Sequence, residues 1–476
     1  MNAINKFWEK DQDEKIKIKH NDTLEFLEEK GYANIIMSEN QFRLVQKKGN
    51  IVSTVTPAIV RQAVRGELIK LGNKPVLEAF TRGISTYLSP NKLELLRPIP
   101  IIASMDDADT TWFYYQNLAI KVTKSTINKI EYTALGHVIW ENNIISRKYI
   151  PADDKKSQFE QFCLNISGQD QDRFKALQTA IGYLLSRFKN PGNPRAVILI
   201  EQQMSSSSKA NGGTGKSLLA KGIECMRNVV NIDGKYYKPA DPFSNQMIDS
   251  YTDVLNYDDM GKNFNLESVF SMVTSGVTVN KKHQQAYYLK PENAPKMLIS
   301  SNYVVNGPGG NADKRRRCEF ELAPHYGPKN QPEDEFGNLF FQGWDADEWN
   351  RFDAFMTSCA QEYLINGLLI AKPINLEKNK LIASTSAEFI DFMDKQIVLN
   401  KKLDKRTFIA DFNKESGSNI SSNAFTRLLK TYADKKGLLY EDRSSGGNFY
   451  FWMKDIKPKK EKSLNEKEGD NIQSPE

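Results

Sequence analysis

Helix-type and strand-type hydrophobic patterns alternate along the first 150 residues. Residues 59–72 repeat apolar side chains at the spacing of an amphipathic helix, residues 42–56 alternate as a β-hairpin does, and residues 112–127 have the composition of aromatic-rich strands. The pattern therefore predicts a mixed α+β N-terminal domain over residues 1–150. It does not indicate what this domain does.

The pattern becomes purely helical between residues 155 and 190. Phe174, Leu177 and Ile181 recur at helical spacing with polar faces between them, and the run Asn-Pro-Gly-Asn-Pro at 190–194 ends the periodicity. We predict that these helices form a collar over residues 155–190, ahead of the segment that follows along the chain.

A short strand and a glycine-rich loop follow the collar. Residues 196–200 are uninterruptedly apolar, which is typical of a strand buried on both faces of a parallel sheet. Glycines allow successive N–H groups to converge on a phosphate, and the N-terminus of the following helix adds its positive end. The sequence therefore predicts a phosphate-binding loop rather than a simple glycine turn that caps a helix. Its nucleotide-binding residues are Gly212, Gly213, Thr214, Gly215, Lys216 and Ser217.

Within that loop, Lys216 is expected to reach the β- and γ-phosphates of ATP, and the Ser217 hydroxyl is expected to ligate Mg²⁺. Ala210 stands where the motif G-x-x-x-x-G-K-[ST] has its first glycine.

Two later predicted strands end in polar side chains. Asp258 and Asp259 follow the strand at 252–257, and Asn302 follows the strand at 296–301. A phosphate-loop ATPase needs one carboxylate for the hydrated Mg²⁺ and a second acid to orient or deprotonate water, which we assign to Asp258 and Asp259 in that order. Asn302 can sense the γ-phosphate through a hydrogen bond. All three residue types are also common in ordinary turns.

Two basic clusters lie beside this predicted core. Lys281, Lys282 and His283 occur at or near the tip of a predicted hairpin over 276–288, where cations beside aromatics suit a phosphodiester backbone. The hairpin tip could equally be a solvated edge. The run Arg315–Arg317 precedes another strand and suits bidentate phosphate contact, or forms a basic surface patch.

The C-terminal third has its own pattern. Residues 345–369 predict a long amphipathic helix, and residues 384–453 predict helices followed by a hairpin around 444–447. This order suggests a winged-helix domain, used for DNA through Arg427, Lys430 and Arg443 or only for protein contacts. The charged tail at 454–476 is predicted to be disordered.

Composition narrows the class of protein only slightly. The 476 residues are 26% charged and 39% hydrophobic, with a net charge of +6, so nucleic-acid affinity must come from local clusters. The four cysteines form no C-x-x-C pair. We find no signal peptide and no membrane-length apolar run, and we therefore expect a cytoplasmic protein with no membrane partner.

One acidic cluster leaves two interpretations open. Asp106, Asp107 and Asp109 could form a metal site of the kind a primase or nuclease needs. No second carboxylate pair or histidine lies at a recognisable spacing, so the sequence favours a solvated loop.

The loop GGTGKS, the acid pair, the hairpin VTVNKKHQQAYY, the strand MLISSN and the run RRR together resemble the superfamily-3 helicases. This branch of the AAA+ ATPases occurs in replication proteins of small DNA viruses, phages and plasmids. The resemblance covers residues 190 to 325. This segment is similar to the ATPase core of polyomavirus large T antigen and to phage and plasmid primase-helicases. Gly213 stands where many members have asparagine.

The resemblance implies an α/β fold with an AAA+ core over 191–370. It implies a hexameric ring that hydrolyses ATP with Mg²⁺ and translocates on single-stranded or forked DNA, with other replication proteins as possible partners. By this resemblance Lys281, Lys282 and His283 grip DNA, Asn302 is the sensor, and Arg315 or Arg316 is a finger that enters the neighbouring subunit's site.

The leading prediction is therefore a replicative DNA helicase of a phage or mobile element. A bifunctional primase-helicase and a DNA-binding initiator that uses ATP only to assemble are the alternatives. A P-loop kinase is a fourth, although a monomeric kinase has no evident use for the basic hairpin or the arginine run.

Overall fold

The chain forms two compact units, Met1–Ile374 and Asn375–Glu476. The first is a mixed α/β structure around a five-stranded parallel sheet, and the second combines helices with a three-stranded antiparallel sheet. The predicted α/β class is confirmed at that level. In the part of the chain that is described, every helix is too short or too polar to span a lipid bilayer. The computed structural model describes residues 7–38, 41–100, 105–203, 213–283 and 285–455.

Small sheets and the helices packed on them make up the N-terminal region. The strands form a two-stranded sheet β1-β2, a five-stranded sheet β10-β5-β4-β3-β6 and a four-stranded sheet β11-β7-β8-β9. The elements are β1 Trp8–Lys10, β2 Ile16–Ile18, α1 His20–Glu29, β3 Tyr32–Ser38, β4 Gln41–Lys48, β5 Ile51–Thr54, α2 Pro57–Leu71, α3 Lys74–Arg82, α4 Ile84–Tyr87, α5 Pro90–Leu93, β6 Pro98–Ile99, β7 Thr110–Tyr115, β8 Ala119–Thr123, β9 Ile127–Ile130, β10 Ile139–Trp140 and β11 Ile144–Ile145.

Several of these elements confirm the sequence pattern. The predicted hairpin is β4–β5, the predicted helix is α2, and the aromatic strands are β7 and β8. Helix α2 begins where Thr56 accepts a hydrogen bond from the Ile59 amide and Pro57 supplies a suitable φ angle. It ends at Gly72, which has a φ of 73° that favours glycine.

The central region contains the parallel sheet, in the order β13-β14-β17-β12-β18. All six residues of β12 and all six of β17 are buried, as expected for strands covered on both faces. The elements are α6 Gln158–Ile166, α7 Gln171–Leu185, β12 Ala196–Glu201, α8 Lys216–Glu224, β13 Val229–Asp233, β14 Val254–Met260, α9 Phe270–Thr274, β15 Val277–Val279, β16 Tyr287–Leu289, β17 Lys296–Ser301, α10 Gly310–Lys314, β18 Arg317–Leu322, α11 Pro332–Phe336 and α12 Ala346–Asn366.

Two strands of this sheet differ from the sequence prediction. The edge strand β13 was not predicted, because Asn231 interrupts its short apolar pattern. Strand β14 continues through Met260, so Asp258 and Asp259 lie inside the strand instead of after it.

The N-terminal region and the central region share a hydrophobic core. Phe113 of β7 and Ile120 of β8 belong to the same buried cluster as Phe159 of α6, Leu177 of α7 and Cys359 of α12. A separate domain over residues 1–150 stays a prediction, since residues on both sides of its boundary complete one core.

Helices α7 and α12 approach most closely at Gly182. A Cβ atom added there would meet the carbonyl oxygen of Cys359 and would lie 2.7 Å from Cβ of Tyr363. Only glycine therefore allows the two backbones to pack at this distance.

We expect Gly182→Ala to lower the free energy of unfolding by about 2–3 kcal/mol, because the overpacking outweighs the better helix propensity of alanine. Urea unfolding followed by circular dichroism measures the change. The matched control is Gly66→Ala in α2, where nothing lies within 4 Å of the added Cβ and the protein should gain about 0.5–1 kcal/mol. Equal stability of the two variants would refute the close-packing explanation.

The second unit surrounds a core rich in phenylalanine, including Phe389, Phe408, Phe425 and Phe451. The predicted helix with a serine N-cap is confirmed, since α16 begins after Ser421 and ends at the positive-φ Gly437. The predicted hairpin is β20–β21, and the sheet order is β19-β21-β20. The elements are α13 Leu376–Ser384, α14 Ala387–Gln396, β19 Leu403–Asp404, α15 Lys405–Ser416, α16 Ser422–Lys436, β20 Leu438–Ser445 and β21 Asn448–Asp455.

Some sequence predictions fall partly or wholly outside the described residues. Gly212 and the departure at Ala210 lie there, as does the tail from residue 456. The first two residues assigned to the tail, Lys454 and Asp455, belong to β21.

Candidate nucleotide-binding site

The residues before α8 adopt backbone conformations that favour glycine. Gly213 has a φ of 101° and Gly215 has a φ of 107°, and α8 begins at the next residue, Lys216. Gly215 has a second reason to be glycine, because an added Cβ would lie 2.7 Å from the ring of Phe162. The loop therefore enters α8 with its N–H groups at a helix N-terminus, where an anion binds favourably.

Three adjacent strands bring the other predicted site residues to this loop. Strand β17 lies between β12 and β14, and all three run parallel, so their carboxyl ends meet at one edge of the sheet. Glu201 ends β12, the acid pair lies near the end of β14, and Asn302 follows β17.

A β-bulge orients the acid pair. The register between β14 and β17 shifts between Tyr257 and Met260, and Asp259 adopts a positive φ of 56°. The Ser300 hydroxyl links the two acids, since it accepts from the Asp259 amide at 2.8 Å and donates to Oδ1 of Asp258 at 2.7 Å. Bulges redirect side chains at functional sites, and this one sends the two carboxylates to different partners.

A continuous set of hydrogen bonds crosses the sheet edge. Nζ of Lys216 donates to Oε1 of Glu201 at 2.6 Å and to Oδ1 of Asn302 at 2.8 Å. Nδ2 of Asn302 then donates to Oδ1 of Asp259 at 2.8 Å. Nζ of Lys235 pairs with Oδ2 of Asp259 at 2.6 Å, and this hydrogen bond raises the pKa of the Lys235 ammonium. The loop lysine, the Asn302 amide and the second acid thus form one connected group.

The other acid lies beside the loop serine. Oγ of Ser217 is 3.4 Å from Oδ1 and 3.5 Å from Oδ2 of Asp258. These oxygen atoms suit Mg²⁺, which is usually held by one or two protein groups together with waters and substrate phosphates. Within the described residues no group of three or more His, Cys, Asp or Glu side chains could hold a metal ion without such help.

Sequence reasoning missed three members of this group. Glu201 is buried at the end of β12 and also accepts from the Thr214 hydroxyl at 3.2 Å. The available sequence signal was a charged residue at the end of an apolar strand. Lys235 follows the unpredicted strand β13, and Ser300 lies within β17, so no sequence signal distinguished either residue.

The predicted basic hairpin is confirmed as the antiparallel pair β15–β16. Its three basic residues have different environments. Lys281 is half-buried and pairs with Asp249 at 3.4 Å, and Asp249 also pairs with Arg43 at 2.6 Å. Lys282 and His283 are exposed at the turn. The exposed pair is therefore accessible to a ligand, whereas Lys281 anchors the hairpin to the rest of the unit.

The three arginines of the run at 315–317 also have different environments. Arg317 is buried and bonds Asp313 at 2.6 Å and Glu319 at 3.0 Å, so it stabilises the start of β18. Arg316 lies 4.6 Å from the ring centre of Phe270 and donates to a backbone carbonyl. Arg315 is exposed to solvent.

The N-terminal acid cluster forms a turn. Asp106 is buried and accepts from the amides of Trp112 and Arg187, and burial raises the pKa of its carboxyl group. Asp107 accepts from the Asp109 amide at 2.8 Å, and Asp109 pairs with Lys124 at 2.8 Å. Asp107 and Asp109 are exposed, as a solvated loop predicts, whereas Asp106 is buried and not solvated.

No protein-family model matches the sequence, and no curated protein matches it. Among solved structures, the chain is similar to the A form apo structure of the NrS-1 C terminal region, with 12% identity and a TM-score of 0.44 over 91% of this chain and 98% of that chain. A second apo structure of that region, residues 305–718, has 12% identity and a TM-score of 0.44 over 90% of this chain and 98% of that one.

Proposed function

We propose that the chain is a Mg²⁺-dependent ATPase of the AAA+ class that moves along single-stranded DNA as a replicative helicase of a phage or mobile element. The observation that carries the proposal is the hydrogen-bonded group of Lys216, Asn302 and Asp259 at the N-terminus of α8. A lysine that begins a helix after two positive-φ glycines, linked to a sensor amide and an acid, suits phosphoryl transfer to water.

Each side chain has a role in that reaction. The loop amides and Lys216 bind the β- and γ-phosphates, while Asp259 accepts a hydrogen bond from the attacking water and orients it. Asn302 contacts both Lys216 and Asp259. It can therefore transmit the loss of the γ-phosphate from Lys216 to Asp259. Ser217 and Asp258 would hold Mg²⁺, which neutralises charge on the phosphates.

Glu201 opposes the binding of a phosphate. Its carboxylate lies 2.6 Å from the same ammonium that an incoming γ-phosphate must contact, in a buried position where water screens little. The two anions therefore compete for Lys216.

We expect Glu201→Gln to bind ATP more tightly, by about 3- to 30-fold, because the amide keeps a hydrogen-bond acceptor for Lys216 and removes the repulsion between anions. Titration of a fluorescent ATP analogue measures the affinity. Glu224→Gln, at the far end of α8, removes the same charge away from the site and serves as the control. Weaker binding by Glu201→Gln would mean that the carboxylate mainly positions Lys216.

The DNA-binding part of the proposal rests on the exposed hairpin tip. Lys282 and His283 extend from β15–β16 and suit a phosphodiester backbone, while Lys281 and Asp249 hold the hairpin in place. The second unit, with helices followed by the hairpin β20–β21, is proposed to be a winged-helix domain.

Unwinding of forked DNA tests the proposed function. We expect the wild-type protein to hydrolyse ATP faster with single-stranded DNA and to separate the fork. Lys282→Ala should keep at least half of the DNA-independent ATPase rate and lose about 10-fold or more of the unwinding rate, because phosphate contacts supply most non-specific affinity. Lys290→Ala, exposed beyond β16 on the same hairpin, is the matched control. An ATPase that ignores DNA and displaces no strand would refute the helicase assignment and favour an ATP-assembled initiator.

A further inference from the structure

The hairpin of the second unit extends beyond the core that supports its base. Residues 442–449 are all exposed, and the turn is made by Gly446 and Gly447 with positive φ angles of 60° and 78°. We call the exposed end the wing tip and define it as Arg443–Tyr450 together with Lys402 and Arg406. Phe451 and Met453, farther along β21, are buried in the core.

Aromatic rings at the wing tip lie beside cations. Phe449 is 47% exposed, and Cζ of Arg406 lies 5.4 Å from its ring centre. Nζ of Lys402 lies 4.0 Å from the ring centre of Tyr450. The two rings point to opposite faces of β21 because they are consecutive strand residues. An exposed ring with a cation beside it offers a face on which a nucleobase can stack.

Three exposed cations lie at this end of the hairpin, and the neighbouring acid Asp442 accepts from the Tyr440 hydroxyl at 3.0 Å and lies 4.0 Å from Nζ of Lys405. Arg443 lies opposite Tyr450 in the strand register and is exposed like Lys402 and Arg406. On the β19 side, the acid Asp404 is occupied as the N-cap of α15, where it accepts from the Thr407 amide at 3.0 Å.

The base of the hairpin differs from the tip. At the base, Glu441 binds the Trp452 ring nitrogen at 2.6 Å and Lys454 at 2.7 Å, so charges there are paired. On α16, Lys436 pairs with Asp394 at 3.1 Å, whereas Arg427 and Lys430 are exposed. The sequence assigned DNA contacts mainly to α16, but the exposed aromatic is on the hairpin.

We propose that the wing tip binds single-stranded DNA, with unpaired bases stacked on Phe449 and the phosphates bound by Lys402, Arg406 and Arg443. Stacking on an exposed ring beside a guanidinium requires a base whose face is free, and a duplex offers such faces only at its ends. The cations match a polyanion and argue against an apolar protein partner. The wing tip belongs to the second unit and the nucleotide site to the first, so the proposal does not depend on whether the chain hydrolyses ATP.

Fluorescence anisotropy of the full-length chain without nucleotide tests this proposal, using a labelled 20-mer of thymidine and a blunt duplex of the same length. Phe449→Ala should weaken binding of the single strand by about 5- to 100-fold, the loss typical of one or two stacked bases, and should change duplex binding by less than about 2-fold. Phe449→Trp should restore single-strand binding. Lys402→Ala with Arg406→Ala should reduce the slope of log affinity against log salt by about 1.4.

Controls separate the wing tip from the other proposed DNA contact. The measurements are repeated in a Lys282→Ala, His283→Ala background, which removes the cations of the β15–β16 tip. Lys435→Ala, an exposed lysine of α16, should leave affinity unchanged. Unchanged single-strand affinity in Phe449→Ala, or an equal loss for single strand and duplex, overturns the proposal. The ATPase assay of the same variants reports independently on the nucleotide site.

Discussion

Lys216→Ala should reduce ATP hydrolysis by about 100-fold or more. The substitution removes the ammonium that we propose binds the transferred phosphoryl group, and it breaks the connection between Glu201 and Asn302. Steady-state phosphate release at saturating ATP measures the effect.

The same substitution also leaves a buried carboxylate without its cation. Removing one partner of a buried ion pair costs roughly 3–5 kcal/mol, so a loss of activity by Lys216→Ala alone does not distinguish chemistry from folding. The double variant Lys216→Ala, Glu201→Gln separates the two effects. It should recover most of the lost unfolding free energy, because no buried charge is left unpaired, and remain inactive. Activity in the stable double variant would contradict the role of Lys216.

Arg315→Ala should reduce ATP hydrolysis by about 1,000-fold, if this arginine enters the site of a neighbouring subunit. Arg315 is the exposed member of the arginine run, whereas Arg316 lies on Phe270 and Arg317 is buried between acids. Arg316→Ala is therefore the matched control and should retain most activity. Arg317→Ala should instead lower stability, because Asp313 and Glu319 lose their cation.

A mixing experiment tests whether the site is shared between subunits. Arg315→Ala has an intact nucleotide loop and Lys216→Ala an intact finger, so a mixture of the two inactive proteins should regain part of the wild-type rate. Analytical ultracentrifugation with ATP shows whether mixed assemblies form. Assemblies that form but stay inactive, or a single Arg315→Ala protein with normal activity, would rule out Arg315 as the finger.

The sequence predicted well those parts of the fold that depend on neighbouring residues. Helix α16 begins and ends at its predicted caps, because capping involves residues within one turn of each other, and helix α2 follows the predicted apolar spacing. The three predicted hairpins, β4–β5, β15–β16 and β20–β21, follow from local alternation and turn chemistry. Strand β13 was missed, since at an edge its residues are only partly buried and the apolar pattern is weak.

Within the candidate site, the sequence by itself determined the chemistry of the loop. Glycines, lysine and serine are adjacent in the chain, so their types and order predict where N–H groups, an ammonium and a hydroxyl come together. Only the tertiary structure decided the partners of these groups. Lys216 and Asn302 are 86 residues apart in the sequence. Asp259 reaches Asn302 because of a β-bulge, which no local sequence pattern predicts.

Charged side chains that look equivalent in the sequence also have different environments in the tertiary structure. Three consecutive arginines and the run Lys281–His283 look uniform along the chain, yet one member of each run is tied to an acid and another is exposed. The sequence determined which side chains carry charge. Burial against distant strands and pairing with distant acids decided which of these charged side chains can reach a phosphate. Both depend on which segments, distant in sequence, pack against each other in the fold.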